Sequence, residues 1–244
     1  MGNCSRVFRM GAGVWVPVTV FLASPQSRFQ AHFLVDMPVL VSFALWKKWL
    51  SRFQQSWGPM LLDSGAFSEF TGGATVDLDA YEDFVAEWGW RCEAVAGLDD
   101  ISGNWKRSLK NYERLGFPTM HNTDPPELLK DLIPIARERG SWIGLGVKPE
   151  NGHREYAEGW IERTLDLIPP DLHVHGWAMR GFLGYRRINS VDSTNWYRDA
   201  HKVLVRGIPL PWLTEGEAIE IVIKRYKREK RVYRPENEQL ELLK

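Results

Sequence analysis

Cysteine is scarce, with only Cys4 and Cys92 in 244 residues. Two thiols cannot build a disulfide framework, and such sparse usage points to a reducing, cytoplasmic setting. No CxxC pair exists, and no His or carboxylate set has the spacing of a tetrahedral structural zinc site. No metal and no cofactor is therefore expected. Net charge is missing too, since 31 basic residues balance 31 acidic ones. The molecule as a whole offers no attractive field to a nucleic acid, so any such contact needs a local basic patch. No apolar run approaches the roughly 20 residues of a membrane span. The opening Met1–Arg6 fails as a myristoylation signal because Arg6 stands where Ser or Thr is wanted, so the N-terminus is expected to be untargeted. There is no low-complexity block, internal repeat or linker, and residues 1–244 read as one domain ending in a basic helix or tail over about 215–244.

What is present is an alternation. Short runs at Val18–Ala23, Val39–Phe43, Met60–Asp63, Ala94–Leu98, Pro118–His121, Trp142–Val147, Leu172–Gly176 and Arg187–Asp192 read as strands. Most are apolar without a clean period of two, as expected when both faces of a parallel sheet are covered. Helical segments are expected at Leu45–Gln55, Asp79–Trp88, Trp105–Leu115, Glu127–Arg139, Arg154–Leu167 and Glu215–Arg228. Asp79 is the expected N-cap of the second, while Gly116 and Gly140 are C-terminal stops. Pro134 should kink the fourth. In the last, Ala218, Ile219, Val222 and Ile223 share one face. Strand and helix repeated to about eight strands predict a (β/α)8 TIM-type barrel. Ser24–Pro38 shows no clear helix and the 176–187 connection is short, which leaves an irregular barrel open.

Polar residues gather at the C-terminal ends of these strands: Asp63, Asp99, Asp100, His121, His175 and Asp192. In a barrel those ends converge on one mouth, where ligands bind. Asp63 in Leu62-Asp63-Ser64-Gly65 and Asp192 in Ser190-Val191-Asp192-Ser193 could each be plain turn or helix caps. Together they form a carboxylate pair able to divide nucleophile and base roles. Of the adjacent Asp99 and Asp100, one can face the mouth, and Asp99 is expected to be the inward one, with Asp100 capping the helix that follows. His121 and His175 could stack on or bond to a base, or serve as local structural donors. His173 shares a strand face with His175, but no third ligand suggests a metal.

Gly144 and Gly146 alternate on one strand. They either let a flat base approach the backbone or make room for tight packing inside the barrel. Lys148 could reach a phosphate or simply be solvated. Trp177 is a candidate stacking surface near the mouth. The run from Lys224 to Arg234, including Lys224, Arg225, Lys227 and Arg228, is dense in positive charge with tyrosines interleaved. Such a run is usually a solvated helix face. In a neutral chain it also leaves the remainder net acidic, and that asymmetry suits a nucleic-acid backbone. Arg180, Arg186 and Arg187 are expected near the mouth and could add to it.

Leu62-Asp63-Ser64-Gly65-Ala66-Phe67 resembles the first aspartate motif of the tRNA-guanine transglycosylase superfamily. In the same order, Gly97-Leu98-Asp99-Asp100 resembles its base-recognising aspartate motif and Trp142–Val147 its glycine-containing strand. His175-Gly176 followed by Ser190-Val191-Asp192-Ser193 resembles the segment with the nucleophile. The resemblance covers roughly residues 39–200. Ala66 and the Ser-Val-Asp-Ser form look closer to the phage-type branch that puts 7-deazaguanine into DNA than to the bacterial tRNA enzymes. The zinc-binding cysteine cluster of the tRNA enzymes is absent.

The resemblance implies a base exchange. Asp192 would attack the anomeric carbon of a guanosine and expel guanine. Asp63 would take the proton from an incoming 7-deazaguanine such as 7-cyano-7-deazaguanine. Asp99 would recognise the base, with Ser64, Gly65, Phe67, His121, Gly144, Gly146, His175 and Gly176 around it. DNA is the expected partner and tRNA the alternative, with a homodimer or accessory modification proteins left open. Two other readings stand beside this one. A glycoside hydrolase would use Asp63 and Asp192 as its carboxylate pair, with water as acceptor. A non-catalytic barrel would only bind nucleic acid.

Overall fold

The computed structural model describes residues 13–25, 27–53, 56–72, 75–147, 154–179, 187–206, 214–228 and 231–235. Eight of its strands form one all-parallel sheet: β2 (Thr19–Ala23), β3 (Val39–Ser42), β4 (Met60–Asp63), β5 (Ala94–Val95), β6 (Thr119–His121), β7 (Trp142–Gly146), β8 (His173–Gly176) and β9 (Ser190–Ser193). The spatial order is β5-β4-β3-β2-β9-β8-β7-β6. A parallel bridge between Ala96 and Phe117 joins the two ends of this series. There Gly97 N–H donates to the Phe117 carbonyl at 2.9 Å and Phe117 N–H to the Val95 carbonyl at 2.8 Å. Apart from β2 and β9, the first and last strands of the ring, neighbours in the ring are thus neighbours in sequence, as the α/β barrel reading requires.

The helices are α1 (Arg28–His32), α2 (Ala66–Phe70), α3 (Leu78–Trp88), α4 (Trp105–Arg114), α5 (Leu129–Glu138), α6 (Arg154–Leu167), α7 (Asn195–Arg206) and α8 (Glu215–Arg228). Asp77, not Asp79, caps α3, its side chain accepting from Ala80 N–H at 3.0 Å. Pro134 lies inside α5, and Gly116 and Gly140 follow their helices at φ 74° and 93°. No α-helix forms over the described residues 45–53. The chain makes 3-10 turns at Phe43–Leu45 and Lys48–Arg52, with Trp46 and Lys47 extended between them. The aromatics there serve two clusters. Trp46 packs on Phe84 and Trp88 of α3, while Trp49 meets Phe53, which stacks on Trp57. One straight helix face could not reach both.

Burial falls into two layers. Between sheet and helices lies a large core with Leu22, Val41, Leu132, Ile143, Ile161, Val174 and Val191. Inside the ring, Phe21, Leu40, Leu61, Ala94, Ala96, Phe117 and Trp142 form a second core. These interior positions alternate with the outward ones, so the residues two further along β3, β4 and β9 also face inward, at the C-terminal rim.

Outside the ring, β1 (Gly13–Pro17) pairs antiparallel with β10 (Arg231–Pro235). β1 leads through Val18 into the start of β2, so this ribbon sits at the N-terminal end of the barrel, away from the mouth. No described helix is long and apolar enough to cross a membrane.

Candidate active site

Asp63 ends β4, and the next residues explain its setting. Gly65 takes φ 91°, which favours glycine, and a Cβ there would stand 2.4 Å from Ala44 Cβ. The turn aims Gly65 N–H at the Asp63 carboxylate, and the Ser42 hydroxyl lies beside it. Both favour the charged form, but burial outweighs them, and Asp99 and Asp192 add repulsion. The Asp63 carboxyl is pushed up to about 7. Three acids from three separate strand ends thus share one site.

Asp99 turns inward and Asp100 does not. Asp99 Oδ2 stands 2.6 Å from Nε2 of the buried His121. Asp100 closes a local turn, accepting from Ser102 N–H at 3.0 Å, and pairs with Arg107 at 3.2 Å. It does not cap α4, whose N-cap is Asn104. His121 is fixed in turn by its N–H, which donates to Asp124 Oδ2 at 2.7 Å.

Asp192 lies on β9, paired in register with Phe21 of β2. Its Oδ1 accepts from Ala178 N–H at 2.6 Å and lies 3.6 Å from His175 Nε2. Ala178 reaches it from the left-handed region, at φ 54°. His175 is wholly buried. Its Nδ1 is 2.9 Å from Ser190 Oγ, and His173 Nε2 is 2.7 Å from the same oxygen.

The two strand glycines face the interior, but protein side chains occupy the space above them. A Cβ on Gly144 would meet Trp177 Nε1 at 2.4 Å and Thr119 Oγ1 at 2.5 Å, and one on Gly146 would meet His121 Nδ1 at 2.5 Å. In this conformation they serve packing. Trp177 stacks on Phe117 at 6.0 Å and donates from Nε1 to Thr119 Oγ1 at 2.9 Å, so its ring is committed to the barrel interior. Gly176 faces the other side of β8, under Met179. Ser64 is buried, while Phe67 on α2 is 61% exposed beside the rim.

The proposed phosphate contacts divide. Lys148, Arg180 and Arg186 lie outside the described residues, as do the side chains of Lys227 and Arg228. Arg187 is not at the mouth. It precedes β9 and donates to the Leu165 carbonyl at the end of α6, beside the start of β8. α8 also leads away from the acids. Its first residue, Glu215, bonds Tyr197 OH in the first turn of α7 at 2.9 Å, and its last runs toward β10 at the opposite end. Lys224 and Arg225 therefore sit toward that far end, and Lys224 pairs with Glu220 at 3.6 Å. The basic run of sequence is split between a helix end and a strand, which no charge count could reveal.

Ser42, Thr119 and Ser190 are site residues the sequence reading passed over. Each could have been found by stepping two residues along a strand or taking its last inward position. Among the described residues, no group of three or more His, Cys, Asp or Glu could hold a metal ion. No protein-family model matches the chain, and no curated protein matches it.

Proposed function

We propose that this barrel exchanges a guanine in a nucleic acid for a 7-deazaguanine through a covalent aspartyl–sugar intermediate. One observation carries the reading: Asp63, Asp99 and Asp192 converge at the strand ends, and Asp63 is held near neutrality. A carboxyl that titrates at about 7 can both give and take a proton at working pH.

Asp192 Oδ2 attacks C1′ of the target nucleotide. The C1′–N9 bond breaks with its electron pair going to N9, which takes the proton of Asp63. The incoming 7-deazaguanine then returns a proton to Asp63 as its N9 attacks C1′ and Asp192 leaves as a carboxylate. Asp99 accepts from the base's amide and amino groups through Oδ1, because Oδ2 is engaged by His121. The target base must leave its stack, which costs a few kcal/mol, less in a single strand. Phe67 offers an exposed ring for stacking at the rim. DNA is the favoured acceptor because Ala66 and the Ser-Val-Asp-Ser segment resemble the DNA-modifying branch.

Incubation with labelled 7-cyano-7-deazaguanine and either DNA or tRNA tests this. Label should enter DNA with the wild type and not with Asp192→Asn. Label in tRNA alone would move the acceptor to RNA. With neither labelled, and sugar release into water instead, the two carboxylates would belong to a hydrolase.

A further inference from the structure

Two features of the β8–β9 pair remain unused by the chemistry above. Ser190 Oγ stands between two imidazoles, and the buried His175 Nε2 has no hydrogen-bond partner within ordinary distance. That nitrogen points at the Asp192 carboxylate, 3.6 Å away. We propose that His173, Ser190 and His175 form a positioning relay that orients Asp192 for attack. This rests on Asp192 being the nucleophile of the base exchange.

Proton bookkeeping fixes the relay's direction at its inner end. Ser190 has one hydroxyl proton and two imidazole nitrogens near it, at 2.7 and 2.9 Å. It donates to one and accepts from the other. If it donates to His175 Nδ1, His175 is the Nε2–H tautomer. If it donates to His173, then His175 Nδ1 carries a proton. Nε2 would then turn a lone pair on a carboxylate unless it were protonated as well. Every arrangement free of that clash places Nε2–H toward Asp192.

The outer member is compatible with either arrangement, as a donor or as an acceptor at Nε2. Burial, with His175 close by, pushes the His173 imidazole down to about 4, so at neutral pH it holds a single proton. Its ring is stacked on Trp142 with centroids 3.5 Å apart, which holds Nε2 on the hydroxyl. The carboxylate receives Ala178 N–H and faces His175 through the same oxygen, Oδ1. Oδ2 is thereby turned to the substrate. The same donors would stabilise Asp192 as it departs in the second displacement.

Long-range 1H–15N NMR of the full-length chain reads the relay without turnover. The expected result is His175 protonated at Nε2, with its signals moved by Asp192→Asn and both histidines' signals moved by Ser190→Ala. His175 with a bare Nε2, or signals indifferent to Asp192→Asn, would overturn the relay. In base exchange, Ser190→Ala should lower kcat about tenfold or more while leaving KM for the free base in place. His175→Gln, whose amide can still donate, should exceed His175→Leu. Unchanged kcat in Ser190→Ala would also overturn it. A wild type that exchanges no base would count against the exchange reading, and the NMR result would still decide the relay.

Discussion

A carboxyl that titrates at about 7 makes Asp63 a cost to the fold as well as a tool. Its ordinary value is 3.8, and burial accounts for most of the rise. Between those two values the folded chain keeps a proton that the unfolded chain has lost, so stability falls as pH rises across that window. The contribution is whole below about pH 4 and gone above about pH 7. Asp63→Asn should therefore flatten the pH dependence and stabilise the protein at pH 8 by about 2–4 kcal/mol. Urea denaturation at pH 5 and pH 8 checks this, and an unchanged pH slope would contradict it. The same substitution should lower base exchange by about 10²- to 10⁴-fold, because it removes the proton carrier. At the rim, Phe67→Ala should weaken single-strand binding by about 1–3 kcal/mol, read by fluorescence titration. Much of this residue-scale picture was legible in sequence. That only one of Asp99 and Asp100 faces inward follows from the opposite directions of adjacent side chains; Asp99 was the expected one, and its contact with His121 places it there. The rise of Asp63 was not legible, because it depends on burial and on carboxylates far away in the chain.

The strands and helices show why some elements could be read and others not. Parallel strands buried on both faces leave continuous apolar runs; seven of the eight barrel strands fall within those runs, and β9 extends one residue past its own, to Ser193. α6 and α8 match their expected ends, since helical periodicity and stops agree there. The 45–55 segment failed for a tertiary reason, with Trp46 and Phe53 drawn to different aromatic neighbours. The ribbon of β1 and β10 joins the two ends of the chain, a pairing that no local pattern announces. The turn after β4 gives the sharpest test at this scale. Gly65→Ala should cost about 1–3 kcal/mol from the positive φ alone, before the clash with Ala44 is added. A thermal melt checks it, and no loss of stability would mean that the turn can relax. Gly144→Ala should also destabilise, because Trp177 and Thr119 fill its place.

Across the whole molecule, ring closure at Ala96 and Phe117 is what brings residues 63, 99 and 192 to one rim. Charge is arranged differently from the sequence reading. Arg187, Lys224 and Arg225 lie toward the end of the barrel away from the acids. Lys224→Glu combined with Arg225→Glu should thus change DNA exchange less than about twofold at moderate salt, where screening acts over about 10 Å. A large loss would mean that the nucleic acid wraps to the far end. The central claim is that the converged acids form a covalent centre with Asp192 as nucleophile. Its most direct measurement is a rapid acid quench of the protein with a guanine-containing DNA strand and no incoming base, followed by peptide mass mapping. The account predicts a deoxyribose–DNA ester on Asp192 that vanishes in Asp192→Asn. An adduct on Asp63, or exchange that proceeds with no adduct, would contradict it.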